Sequence, residues 1–127
     1  MKFVVQARKN PQNRDAEALF YPQAKTLGSV DLDTICNEIA LSSSLTRGDV
    51  TNTIMSFLDT VPKYLKMGFS VKLGELGSFR LSINSIGSSV PEEANASKVR
   101  NIRPVFIAST KLKKEISDTQ VEVFPTV

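Results

Sequence analysis

In the middle of this chain the hydrophobic period switches from 3.6 residues to 2, and the switch falls between Leu65 and Phe69. Upstream, Leu32, Ile35, Cys36 and Ile39 recur at i, i+3, i+4 and i+7, which lays one apolar stripe on a helix from Asp31 to Leu41. Ser29 or Asp31 can cap it. After a link from Ser42 to Leu45, the Thr46 side chain can accept the amide of Asp49, whose carboxylate suits the positive end of the helix dipole. Val50, Ile54, Phe57, Leu58, Val61, Tyr64 and Leu65 then carry the helical period to Gly68, a C-terminal stop. Pro62 predicts a kink in this second helix, because its ring removes one backbone donor and collides with the Leu58 carbonyl, at about 3 kcal/mol in a regular interior.

Downstream the alternation is that of strands. Phe69, Val71 and Leu73 alternate with Ser70 and Lys72, while Phe79, Leu81 and Ile83 alternate with Arg80, Ser82 and Asn84. Gly74-Glu75-Leu76-Gly77 between them supplies the residues that tolerate a tight turn. The segment from Ser85 to Ser97 is rich in Ser, Gly and Asn around Pro91, and reads as an excursion away from the core. A third strand follows from about Lys98 to Ala108, with conflicting parity: Lys98 and Arg100 share a face with Ile102, but Val99 shares one with Asn101 and Arg103. A bulge near Asn101 or Pro104 reconciles the two halves. Ser109 can cap a short basic helix, Thr110 to Ile116, with Leu112 and Ile116 turned inward. At the ends, Phe3, Val5 and Ala7 alternate with Lys2, Val4 and Gln6, and Leu19 to Lys25 forms a second strand-sized run, so a hairpin is expected. Val121 to Phe124 is expected to pair with the first strand.

Composition then removes function classes. The 127 residues include no His and one Cys, so Ser-His-Asp and Cys-His sites, an imidazole base and the usual His-bearing zinc sites are excluded. Cys36 between Ile35 and Ile39 reads as a small buried hydrophobe. Gly74-x-x-Gly77 lacks the Gly-Lys-Ser/Thr of a phosphate loop, and the pairs Asp31/Asp33 and Glu92/Glu93 lack partners for acid–base or metal chemistry. No enzyme activity, cofactor, metal or small-molecule substrate is expected. The opening apolar run, Phe3 to Val5, is too short for a signal-peptide core, and no apolar stretch is long enough for a bilayer, so a cytoplasmic protein without membrane contact is expected.

The formal charge of +3 conceals a segregated distribution. Residues 1–30 carry a net +3, residues 31–62 a net −4, residues 63–114 a net +7 and residues 115–127 a net −3. The basic segment is either a set of solvated faces or the footprint of a surface that meets phosphates.

Three stretches carry a resemblance. Leu45-Thr46-Arg47-Gly48-Asp49-Val50 looks like the capped entry to the second helix of the bacterial HU and IHF family of histone-like DNA-binding proteins. Val71-Lys72-Leu73-Gly74-Glu75-Leu76-Gly77-Ser78-Phe79 is similar to that family's glycine-turn-glycine-Ser/Thr-Phe segment, and Phe106 to Lys113 resembles its passage from last strand to last helix. Phe79 and Phe106 lie 27 positions apart, close to the family separation. The match covers residues 31–116; residues 1–30 and 117–127 look like the extensions of an elongated HU-like branch.

The resemblance implies an α+β fold: an intertwined homodimer with a two-helix base, a three-stranded sheet with a long β-ribbon arm at about 82–100, and a short C-terminal helix. To this are added an N-terminal β extension at 1–30, packed on the body, and a tail strand at 117–127. It also implies a nucleoid-associated protein that binds and bends double-stranded DNA with low sequence specificity. The DNA-contacting residues it implies are Lys72, Arg80, Lys98, Arg100 and Arg103 on saddle and arm, Lys111, Lys113 and Lys114 on the last helix, and Pro91 as a wedge between base steps. Here Pro91 is followed by Glu92 and Glu93, where relatives have basic tips. Those carboxylates and the extensions leave a second reading, an HU-fold module for protein–protein interaction.

Overall fold

The computed structural model describes residues 1–13 and 15–125. The chain divides into two compact units, one of Met1–Leu32 with the described residues from Asp118 on, the other Asp33–Ser117.

The first unit is a single three-stranded sheet. Strand β1 (Lys2–Arg8) pairs antiparallel with β2 (Leu19–Lys25), in a register that sets Val5 opposite Pro22 and Gln6 opposite Tyr21. A short strand after the last helix, β6 (Glu122–Val123), pairs parallel with β1, giving the order β2-β1-β6. Because directly opposed residues share a face, this register puts every charged side chain of the sheet on one side. Phe3, Val5, Ala7, Phe20, Pro22, Ala24 and Val123 lie on one face, and every one is apolar. The other face carries Lys2, Gln6, Arg8, Tyr21, Gln23, Lys25 and Glu122, with Val4 and Leu19 among them. There Lys2 and Glu122 form an ion pair, and the Lys25 ammonium stands 5.6 Å from the centroid of the Phe124 ring.

The second unit begins with α1 (Leu32–Leu41) and α2 (Arg47–Lys66). The expected cap on α2 is present: Thr46 Oγ1 accepts the Asp49 amide at 3.1 Å. Its far end closes as a Schellman motif, with the Phe69 amide donating to the Tyr64 carbonyl at 3.2 Å, the Gly68 amide to the Leu65 carbonyl at 3.0 Å, and Gly68 at φ 93°. The Tyr64 and Phe69 rings meet edge to face at 6.4 Å, the apolar contact that accompanies this motif. The helix runs on through Pro62 as one element.

The chain then forms the sheet β3-β4-β5, from β3 (Val71–Lys72), β4 (Gly77–Ser85) and β5 (Val99–Ala108). β3 is shorter than the alternation from Phe69 to Leu73 suggests, since only Val71 and Lys72 find partners, Phe79 and Ser78. The connecting turn is closed by the Leu76 amide on the Leu73 carbonyl at 3.2 Å, with Gly74 at φ 59° in its first central position. Pairing of β4 with β5 shifts between Asn84 and Ser85, which leaves Arg100 without a cross-strand partner. This bulge, next to Asn101, resolves the parity conflict. It brings Val99 to the side of Ile102, opposite the face that carries Asn101 and Arg103.

Beyond the ribbon, residues 86–98 fold into two 3-10 turns, Pro91–Glu93 and Ala96–Lys98. The Ile86 amide on the Lys98 carbonyl at 3.0 Å closes their base. Helix α3 (Thr110–Ile116) follows β5, capped by Ser109 Oγ, which accepts the Leu112 amide at 2.9 Å. Leu112 is half-buried as expected, whereas Ile116 is exposed.

Few side chains in this second unit are sealed. Cys36, Val50 and Leu65 are its buried hydrophobics, while Ile35, Ile39, Phe57, Leu58 and Ile102 are all exposed. The Phe79 and Phe106 rings pack at 5.0 Å between centroids, yet Phe106 remains exposed, as does Phe57. Between α2 and the sheet lies an apolar groove of about 490 Å³ lined by Pro62, Leu65, Lys66, Leu81, Ile102 and Pro104.

Candidate nucleic-acid interface

The register of β3-β4-β5 places all of the charged side chains it pairs across strands on one of two faces, as that of the first sheet does. Val71, Phe79, Phe106, Leu81, Pro104, Ile83 and Ile102 share the face that carries the groove beside α2. The opposite face carries Lys72, Ser78, Arg80, Ser82, Arg103, Asn84 and Asn101, with Val105 and Ile107 as its two apolar members. Lys72 is registered with Ser78, two residues before Arg80; Arg103 is registered with Ser82, two residues after Arg80. The three cations are therefore successive diagonal neighbours across all three strands, each step roughly 7–8 Å in such ladders. All three are exposed, and none has a carboxylate partner among the described residues. Serine hydroxyls and asparagine amides share that face with them, together with Val105 opposite Arg80 and Ile107 opposite Ser78. An array of fixed cations and neutral hydrogen-bonding groups on one face matches a polyanion surface.

The remaining sequence-derived candidates fall elsewhere. Arg100 stands at the bulge, exposed, and Lys98 closes the second 3-10 turn, half-buried. Pro91 opens the first 3-10 turn directly ahead of Glu92 and Glu93, and the Ala94 amide donates back to its carbonyl at 3.1 Å. On α3, Lys113 and Lys114 occupy the last turn, where the helix dipole favours cations. Lys111 is different. Its ammonium lies 2.6 Å from Glu75 Oε2 and 3.9 Å from Glu115 Oε1, so its charge is already matched.

Sequence reasoning missed that pairing, because Glu75 and Lys111 are 36 positions apart and no local pattern joins them. The same locus holds a second link: the Ser109 hydroxyl donates to the Glu75 carbonyl, and the Ser109 amide to the Leu76 carbonyl at 3.1 Å. The glycine turn and the start of α3 are thus fixed to each other, and with them the orientation of the β4–β5 ladder. The neutral members of the polar face, Ser82, Asn84 and Asn101, were not singled out either. Their signal was present in the alternation with Arg80 and Arg103.

Comparison with known proteins adds the lineage. A family model described as HU-HIG, an HU domain fused to wHTH, Ig or glycine-rich motif, matches residues 1–123. The chain belongs to the HU-HIG family. The match includes the N-terminal sheet, so residues 1–30 are part of what this family shares with the chain. Among solved structures the chain is similar to a bacterial protein from Bacteroides vulgatus ATCC 8482, with a TM-score of 0.64 and 18% sequence identity over 95% of this chain. At that identity the likeness shows the fold. The chain spans 47% of that protein, about half its length. No curated protein matches the sequence. The α+β architecture of this HU-HIG member, with three helices and two small sheets, is consistent with an HU-like fold.

Proposed function

We propose that this chain is an architectural DNA-binding protein of the nucleoid, in the cytoplasm, that binds and bends double-stranded DNA as a homodimer with low sequence specificity. The observation that carries the proposal is the diagonal of Lys72, Arg80 and Arg103 on one exposed sheet face, unpaired with carboxylates among the described residues. Such cations neutralise phosphates and release counterions, which favours any duplex over none and no sequence over another. Membership of the HU-HIG family supports the same reading. The Bacteroides vulgatus protein is itself described as a "Putative bacterial DNA binding protein".

Lys98, Arg100, Lys113 and Lys114 extend the contact along the ribbon and last helix. Lys111 contributes less, since binding phosphate means giving up Glu75. At the tip, Glu92 and Glu93 repel phosphate beside Pro91, so affinity is assigned to the sheet face and the tip is left only an insertion role.

The homodimer is supported by what the single chain fails to bury. Ile39 and Phe57 lie on the apolar stripes of α1 and α2 yet remain 37% and 43% exposed, and the 490 Å³ groove beside α2 is open. A chain of this size ordinarily closes its apolar stripes into one core. A second copy supplies the missing surface.

The test is binding of linear and pre-bent duplexes at low salt by the wild-type chain and by an Arg80→Gln/Arg103→Gln double variant. The wild type is expected to bind both, more tightly when the duplex is already bent, and the double variant to weaken on all sequences alike. Equal, flat isotherms on linear, nicked and kinked duplexes would overturn the proposal.

A further inference from the structure

No described strand or helix of its own unit covers the apolar face of the N-terminal sheet. No described side chain of its unit is buried, and a single-layer sheet of three strands needs one face covered to be stable. Phe20 is 71% exposed and Val5, at the middle of the central strand, 59%. Neither charge nor hydrogen-bonding side chain lies on that face, whereas Lys2, Arg8, Lys25 and Glu122 all lie on the other.

The size of the face indicates its occupant. At strand spacings its footprint is roughly 250–300 Å². Two such surfaces pressed together remove about 600 Å², half of the roughly 1,200 Å² at the low end of stable, specific contacts between free proteins. An independent partner would therefore dissociate, and the face has no polar group with which to select one. A tethered partner is different, because an effective concentration in the millimolar range makes a small contact sufficient. The tether exists: residues 26–31 link β2 to α1, and six residues reach up to about 20 Å.

We propose that the apolar faces of two N-terminal sheets pack against each other within one homodimer, forming a two-layer sandwich about a twofold axis. Like faces without charge stack with no electrostatic penalty, and the basic and acidic side chains stay outside. The inference rests on the homodimer proposed above, and it gives the N-terminal unit a role: a second clamp that holds the two copies together.

Cysteine crosslinking in the full chain tests it. Val5→Cys lies at the centre of the apolar face, Pro22→Cys one strand away in register, and Gln6→Cys on the opposite face of the same strand. Native Cys36 is 2% exposed, so the unsubstituted chain serves as the blank. Under mild oxidation, V5C or P22C is expected to convert mostly to a disulfide-linked dimer, while Q6C and the wild type do not. A chain that sediments as a dimer but gives no V5C or P22C crosslink, or crosslinks equally through Q6C, overturns the sheet pairing alone. A chain that sediments as a monomer at all concentrations overturns the homodimer and the pairing with it.

Discussion

Phe106 occupies the space that a side chain at Gly77 would need. A Cβ built on Gly77 would lie 2.9 Å from the Phe106 ring and 2.3 Å from the Ile107 carbonyl oxygen, and the Gly77 φ of 146° is one that residues with side chains rarely adopt. The β4–β5 ladder starts at this approach, with Gly77 registered opposite Ala108. The cations of the polar face depend on that register, since a slip of one residue would exchange the two faces.

Gly77→Ala is therefore expected to destabilise the fold by about 3 kcal/mol, from strain at the backbone and displacement of Phe106 together. Urea unfolding of the variant beside Gly28→Ala, where a Cβ meets nothing within 4 Å, checks this. Equal midpoints for the two variants would contradict it.

Ile39→Asp and Phe57→Asp place a charge where the single chain already exposes the side chain. In an isolated monomer such substitutions cost little. If a second copy covers these stripes, each buries an unpaired carboxylate and dimerisation is lost. Sedimentation equilibrium is expected to show a dimer for the wild type and a monomer, or an unfolded chain, for either variant. Dimers unchanged by both would remove the helices from the interface.

Glu122 gives the N-terminal unit a pH dependence. Its carboxyl is held below the ordinary 4.5 by the hydrogen bond from Lys2, by the Lys2 charge and, less, by the N-terminal ammonium. A carboxyl with a lowered folded-state pKa stabilises above its unfolded value, and that contribution disappears as pH falls through the folded one. Exchange of the Phe124 amide, which donates to the Phe3 carbonyl at 2.7 Å, is thus expected to lose protection below pH 4.5, after allowance for intrinsic rates. In Glu122→Gln this pH-dependent component should be absent. The same profile in both chains would show that the ion pair does not hold β6.

Much of this arrangement could be read from sequence where the cause is local. Thr46 and Gly68 mark the ends of α2 because capping and a positive φ act within a single turn. The bulge at Arg100 was visible as a conflict of parity between Val99 and Ile102, which only an extra residue resolves. The distant pairings were not visible. Lys111 reads as a free cation until the glycine turn brings Glu75 to it, and Ser109 reads as a helix cap until its hydroxyl is seen to hold the same turn. The composition of residues 86–98 marks an excursion but not two 3-10 turns, since turns led by Pro91 and Asn95 compete closely with an extended ribbon. The wholly apolar face of the N-terminal sheet needed the register of three strands, one of which arrives from the far end of the chain.

The central claim is that Lys72, Arg80 and Arg103 meet DNA phosphates, and the salt dependence of duplex binding tests it most directly. Six such contacts in a homodimer contribute about −5 to the slope of log Kobs against log salt concentration. The wild type should show a slope at least that steep, and a Lys72→Gln/Arg80→Gln/Arg103→Gln variant should lose about 5 from it while keeping its fold and its dimer. A folded, dimeric triple variant whose slope equals that of the wild type would contradict the assignment of the DNA contact to this face.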